Sequence, residues 1–130
     1  MTLASGKVFN AADLPIGKPV VIIYFSPECD HCDKLVHELL KKPLYFKKAS
    51  IAMITYSPVD KVIQFAKKNN LGRYSNIYAG TEGNTFFVRN YYNIQQLPYT
   101  VLYAKNGDRV QAYPQGFAIA ALYGRLNKLK

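Results

Sequence analysis

Cys29 and Cys32 are the residues whose type and spacing best suit chemistry. They are the only cysteines among the 130 residues, and they form a C-x-x-C motif around Asp30 and His31. On the first turn of a helix, residues three positions apart have Cα atoms about 5 to 6 Å apart, which is within disulfide range. A loop this short gains little stability from a cross-link. The pair is therefore expected to form and break a disulfide as its chemistry, and not to staple the fold.

The two cysteines are expected to have different roles because of where the motif lies. At the entrance of a helix, Cys29 would face free backbone N–H groups and the positive end of the helix dipole, which favour a thiolate. Cys29 is therefore the expected nucleophile. A protonated His31 would favour that thiolate further, whereas the carboxylate of Asp30 would oppose it. These two residues and Glu28 are expected to tune the redox potential of the cysteine pair, and the sequence leaves open whether they raise or lower it.

The elements that position the motif can be predicted on either side of it. Residues 20–25 form a continuous run of apolar and β-branched side chains, which indicates a strand buried on both faces. A helix should follow, because apolar residues then recur at helical spacing. Residues 51–55 predict a second strand, parallel to the first and reached by a right-handed crossover. The cysteines thus fall on the turn from strand to helix.

Later segments complete an α/β fold. A helix is expected to begin near Ser57, and residues 72–83 are predicted as a loop because glycines interrupt them. Residues 84–92 predict a short helix that buries Phe87, Val88 and Tyr91.

A hairpin and a helix are predicted at the end of the chain. Residues 100–104 and 109–113 flank Asn106-Gly107, a strong signal for a tight turn between strands. Residues 117–129 have the pattern of an amphipathic helix. Together these elements predict one domain over residues 1–130, with a mixed central β-sheet and helices on both faces. Residues 1–8 are expected to be a flexible N-terminus or a remnant of recombinant expression.

Residues 20–32, followed by residues 92–103 and the Asn106-Gly107 turn, resemble thioredoxin-like proteins. The nearest resemblance is to the TlpA-like group of bacterial thiol–disulfide oxidoreductases, whose extra segment corresponds here to residues 58–95. This resemblance implies a thioredoxin fold and exchange of disulfides with protein thiols. Cys29 would attack a partner disulfide, and Cys32 would resolve the mixed disulfide.

The resemblance also assigns a binding role to a distant segment. It implies that Pro98 is a cis-proline facing the cysteines and that the Leu97 backbone pairs with an extended substrate. It implies no cofactor beyond the Cys29–Cys32 disulfide, and an electron donor or acceptor of unidentified kind. Two positions depart from the family pattern: Ile23 stands where a buried acid is common, and Glu28 stands where tryptophan is common. Proton transfer would then depend on water, His31 or Glu28.

Other functions were weighed against this interpretation. A zinc site needs about four ligands, and beyond the cysteines only His31 and His37 are available, so no metal is expected. Ser26 precedes Cys29 as in a thiol peroxidase of the peroxiredoxin type, but Ile22 stands where that family has proline. A thioredoxin-fold binding module without turnover is the remaining alternative.

Charge and hydropathy limit the partners and the compartment. The net charge is +9, but the lysines are spread along the chain, so nucleic-acid binding is not expected. No apolar stretch approaches the roughly 20 residues that cross a bilayer. The N-terminus lacks the pattern of an export signal. A periplasmic or other extracytoplasmic site is expected if such a signal has been removed, and a cytoplasmic one otherwise.

Tyrosines that could line a groove near Pro98 are Tyr74, Tyr78, Tyr91, Tyr92 and Tyr99.

Overall fold

A computed structural model describes residues 1–41, 46–113 and 124–125. These residues form a six-stranded mixed sheet with the strand order β1-β4-β3-β2-β5-β6. Strands β2, β3 and β4 are parallel to one another, whereas β1 and β5 pair antiparallel with β4 and β2, and β6 pairs antiparallel with β5. The strands are β1 (Thr2–Leu3), β2 (Val20–Tyr24), β3 (Ser50–Thr55), β4 (Ile77–Thr81), β5 (Tyr99–Tyr103) and β6 (Arg109–Tyr113). The predicted central strand, its parallel neighbour and the hairpin are confirmed.

Three helices connect these strands: α1 (Asp30–Lys41), α2 (Val59–Lys68) and α3 (Phe87–Tyr91). Successive residues of a strand point to opposite faces of its sheet. Along β2, Val21 and Ile23 join a large apolar cluster with residues of α1 and α2, whereas Ile22 and Tyr24 contact a smaller cluster that includes Val88 of α3. Helices therefore cover both faces of a mixed sheet, as predicted.

The predicted loop over residues 72–83 is wrong, because it contains β4. Gly80 interrupts the apolar pattern of the sequence, yet it lies within β4 where that strand pairs with β1. A Cβ atom at this position would lie 2.7 Å from the carbonyl oxygen of Thr2, well inside van der Waals contact. The glycine therefore permits the pairing of β1 with β4, and it does not mark a loop.

The short helix predicted over residues 84–92 is present as α3, but its orientation differs from the prediction. Phe87 and Tyr91 are 75% and 67% exposed, so the expectation that they are buried is wrong. A helix of five residues has room for little more than one inward position, which Val88 takes. Ile94, beyond the helix, supplies the buried side chain instead.

The ends of the chain differ in what can be said of them. Within the segment predicted to be flexible, Thr2 and Leu3 form β1, and the terminal amine of Met1 donates to the carbonyl oxygen of Phe9 at 2.8 Å. The predicted C-terminal helix over residues 117–129 lies outside the described residues, apart from Gly124 and Arg125, which are helical.

Candidate active site

The cysteines lie where the sequence placed them, between the end of β2 and the first turn of α1. The N–H of Cys29 donates to the carbonyl oxygen of Ser26 at 3.1 Å, and the N–H of Asp33 donates to the carbonyl oxygen of Cys29 at 3.1 Å. These bonds tie the turn to the helix. Cys29 is partly exposed and Cys32 is buried, and both are free thiols. A partner can therefore reach Cys29 and not Cys32.

The two sulfur atoms differ in their surroundings. The N–H of Cys32 donates to Sγ of Cys29 at 3.3 Å, so a backbone donor is available to negative charge on the Cys29 sulfur. Cys32 is 0% exposed and packs within the apolar cluster beneath α1. Burial raises the pKa of Cys32 well above its ordinary value, and the hydrogen bond with Cys29 raises it further. Cys32 therefore stays protonated at pH values where an ordinary cysteine thiol begins to ionise.

Leu97 and Pro98 lie against the cysteine pair although they are distant in sequence. Strand β5 pairs with β2 in a register that sets Tyr99 opposite Tyr24, which brings the residues before β5 to the end of β2. The peptide bond between Leu97 and Pro98 is cis. Sγ of Cys29 lies 4.0 Å from the carbonyl oxygen of Leu97. The two sequence-predicted parts of the site are thus brought together.

The residues predicted to tune the pair all lie at the surface. Glu28, Asp30 and His31 are exposed, and Glu28 forms an ion pair of 3.7 Å with Lys61 of α2. His37 is also exposed, further along α1. Their effect on the cysteines remains a prediction. Ile23, which replaces the acid common in the family, is buried in the apolar cluster.

One ionisable residue next to Cys32 was missed by the sequence reading. Asp33 lies in the first turn of α1. Its Oδ2 atom lies 3.3 Å from Nζ of Lys68 on α2, and its Oδ1 atom is buried without a hydrogen-bond partner among the described residues. Its negative charge contributes to the raised pKa of Cys32. No local pattern could show that α2 would bring Lys68 to this carboxylate.

Aromatic side chains continue outward from the Pro98 segment. The rings of Tyr92 and Tyr99 lie 5.7 Å apart between centroids, and those of Tyr91 and Tyr92 lie 4.8 Å apart. Tyr78 instead stacks on Phe9 at 4.7 Å. Of the tyrosines predicted to line one groove, Tyr91, Tyr92 and Tyr99 therefore form one cluster, and Tyr78 lies apart from it against Phe9.

The part of the chain that the structure describes contains no candidate metal site and no candidate membrane-spanning helix. Within residues 1–41, 46–113 and 124–125, no three His, Cys, Asp or Glu side chains are grouped so as to hold a metal ion. None of the helices in these ranges is long and apolar enough to cross a bilayer.

Comparison with known proteins agrees with this fold. The family model described as a thioredoxin-like domain matches residues 15–129. The chain therefore belongs to the thioredoxin-like family. A search of curated proteins found no match.

Solved structures share the fold across almost the whole chain. A secreted Mycobacterium tuberculosis disulfide oxidoreductase homologous to E. coli DsbE has a TM-score of 0.80 at 23% identity, covering 98% of this chain and 93% of that one. A thiol-disulfide oxidoreductase from Bacteroides fragilis has a TM-score of 0.75 at 20% identity, covering 99% and 94%. The exposed lipoprotein thioredoxin of Streptococcus pneumoniae has a TM-score of 0.72 at 16% identity, covering 98% and 96%. At these identities the likeness establishes a common fold.

Proposed function

We propose that this protein is a thiol–disulfide oxidoreductase that exchanges disulfides with client proteins through Cys29 and Cys32. The observation that carries the proposal is the asymmetry of the pair. The Cys29 sulfur is partly exposed and contacts the Cys32 N–H and the Leu97 carbonyl, whereas the Cys32 sulfur is buried behind it. A nucleophile that clients can reach, backed by a thiol that they cannot, suits a two-step exchange.

In the reducing direction, the Cys29 thiolate attacks one sulfur of a client disulfide. A mixed disulfide forms, and the other client sulfur leaves as a thiolate that takes up a proton. Cys32 then loses its proton and attacks Sγ of Cys29, which forms the Cys29–Cys32 disulfide and releases the second client thiolate. Two electrons pass from the cysteine pair to the client. The oxidising direction is the reverse of these steps.

The segment at Leu97 and Pro98 is assigned to client binding. Its carbonyl group lies beside the Cys29 sulfur, so an extended client strand paired there would bring its disulfide to the nucleophile. Backbone pairing of this kind tolerates many client sequences, because side chains contribute only secondary contacts.

The direction of exchange depends on the supply of electrons in the compartment where the protein works. Reduction is expected where a reductant keeps the pair as thiols, and oxidation or isomerisation is expected where the pair is kept as a disulfide. Two of the similar structures belong to proteins described as secreted or exposed. On that support we place this chain in an extracytoplasmic compartment, with protein thiols and disulfides as its partners.

The test is reduction of insulin by dithiothreitol with catalytic amounts of the protein. The native chain is expected to shorten the lag before the reduced insulin chains precipitate, and Cys29→Ser is expected to match the uncatalysed reaction. A native protein no faster than dithiothreitol alone would refute turnover and leave the binding-module alternative. Cys32→Ala provides an independent measurement, because this variant should accumulate mixed disulfides between Cys29 and clients.

A further inference from the structure

The resolving step leaves one chemical question open, which is where the proton of Cys32 goes. This thiol is 0% exposed, and a buried thiol loses its proton to water slowly and at high cost. Ile23, at the position where the family commonly has an acid, is 1% exposed and has no group that accepts a proton. Glu28 and His31 are exposed at the surface, whereas the thiol is buried, and Glu28 also forms an ion pair with Lys61. Another acceptor must therefore be sought near the Cys32 sulfur.

Asp33 is the acidic residue nearest to Cys32 in the chain. It follows Cys32 directly in the first turn of α1, and its charge acts on that thiol. Oδ1 is buried and has no hydrogen-bond partner among the described residues, whereas Oδ2 faces Lys68 of α2. One oxygen is thus anchored, and the other is an unused acceptor inside the protein. A buried acceptor without a partner is unfavourable and is uncommon in folded proteins.

We propose that Asp33 accepts the proton of Cys32 during resolution of the mixed disulfide. The proposal rests on the function proposed above and adds a positioned base to it. The proton passes from Sγ of Cys32 to the Asp33 carboxylate through one water molecule. The Cys32 thiolate attacks Sγ of Cys29, and the bond between Cys29 and the client sulfur breaks. The departing client thiolate, or solvent, then takes the proton from Asp33, which restores the carboxylate.

Lys68 orients this base. The ammonium group lies on α2 and reaches the Asp33 carboxylate across the gap between the helices. The charged groups that face the exchanging proton are therefore Cys29 and Asp33 around Cys32, and Lys68 beyond Asp33. The helix that follows β3 thus contributes to a site built mainly on α1.

The two steps can be timed separately with DTNB, an aromatic disulfide that releases a coloured thiolate. Attack by Cys29 on the reagent releases one thiolate, at a rate that depends on the reagent concentration. Attack by Cys32 on the resulting mixed disulfide releases a second thiolate, at a rate that does not. Asp33→Asn should slow the second phase at neutral pH by at least about tenfold, since a positioned base commonly supplies roughly a hundredfold or more. The first phase should change by less than about twofold.

A role for Asp33 as a mere charge predicts the opposite sign. Removing a negative charge beside Cys32 would favour its thiolate, so the second phase of Asp33→Asn would become faster. A second phase that is faster or unchanged overturns the proposal. If Asp33 is the base, the deficit should also narrow as the pH rises, because hydroxide then removes the proton without help.

Two further variants guard against a trivial explanation. Asp60→Asn removes the same charge from an exposed position in the first turn of α2 and should leave both phases within about twofold of the native values. Asp33→Ala should reproduce the slow second phase of Asp33→Asn, while thermal unfolding and the first phase verify that each variant is folded. The DTNB phases do not require a protein client. Failure of the insulin assay would therefore count against the proposed function, and a normal second phase in Asp33→Asn would count against this inference alone.

Discussion

The face of the sheet under α1 and α2 is packed through apolar side chains, whereas the face under α3 also depends on hydroxyl and carboxylate groups. On the first face, apolar side chains of β2 and β3, together with the ring of Phe25, meet the inner sides of both helices, and Cys32 lies in the same cluster. The rings of Phe25 and Phe65 lie 4.7 Å apart between centroids. Close packing of this kind leaves the cysteine motif little freedom to move.

On the second face, hydrogen bonds hold the elements next to the Pro98 segment. The hydroxyl of Tyr24 donates to Oε2 of Glu82 at 2.5 Å, and the same carboxylate accepts the N–H of Val88 at 2.8 Å. The hydroxyl groups of Tyr92 and Tyr103 are also hydrogen-bonded to each other. These directional bonds tie β4 and α3 to the central strand.

The active site lies where the two faces meet, and Leu97 shows this directly because its side chain packs against both clusters. Apolar packing positions the cysteines, and a polar and aromatic network supports the segment expected to bind clients. The two halves of the site should therefore respond differently to substitution.

The largest effect is expected from Phe65→Ala on the apolar face. Phe65 is 3% exposed, and truncation of a buried phenylalanine leaves a cavity that typically costs about 3 to 5 kcal/mol. Phe87→Ala is the matched control, since Phe87 is 75% exposed and its truncation should cost less than about 0.5 kcal/mol. Urea unfolding measures both values. Equal losses in the two variants would contradict the assignment of the main core to this face.

An intermediate effect is expected from Tyr24→Phe on the polar face. This variant keeps the ring and removes the hydroxyl that binds Glu82, and a hydrogen bond to a charged group contributes about 1.5 to 3 kcal/mol. The free energy of unfolding should fall by that amount. Tyr91→Phe removes a hydroxyl from a side chain that is 67% exposed and should change the stability by less than about 0.5 kcal/mol. If both variants lose the same stability, the Tyr24–Glu82 bond does not hold this face together.

The most gradual effect is expected from alkaline pH, and it is the smallest of the three effects just above pH 9.0, where only Cys32 contributes. Burial raises the pKa of Cys32 above its ordinary 9.0, and burial with hydrogen bonding raises the pKa values of Tyr24 and Tyr92 above their ordinary 10.0. Above these ordinary values the unfolded chain loses protons that the native protein keeps. Stability of the reduced protein should therefore fall as the pH rises, by up to about 1.4 kcal/mol per pH unit and group.

Variants separate the two faces in this titration. Cys32→Ala should remove the decline that begins near pH 9.0, whereas Tyr24→Phe should change the slope of stability against pH only above pH 10.0. The measurement is urea unfolding at a series of pH values with a reductant that contains no thiol. An unchanged slope in Cys32→Ala between those two pH values would show that this thiol ionises as readily in the native protein as in the unfolded chain.

Much of the fold was predictable because its signals are local. The apolar run of β2, the helical spacing of α1 and the Asn106-Gly107 turn each specify an element by their own residues. Strand β4 was missed because Gly80 is required by the close approach of the Thr2 carbonyl, which belongs to a strand nearly eighty residues away. The exposure of Phe87 was likewise decided by how α3 lies on the sheet.

The sequence by itself determined the chemistry of this protein, since two cysteines at helical spacing after a buried strand specify which atoms react. The tertiary structure decided what surrounds them. No local feature of Pro98 indicates its cis bond, since only about one X-Pro bond in twenty is cis. The resemblance to the family implied its place beside Cys29, and the pairing of β2 with β5 produces that placement. Lys68 reaches the carboxylate of Asp33 only because α2 packs beside α1. Reactivity depends on residue type and spacing, whereas solvation and proton transfer depend on neighbours that folding alone brings together.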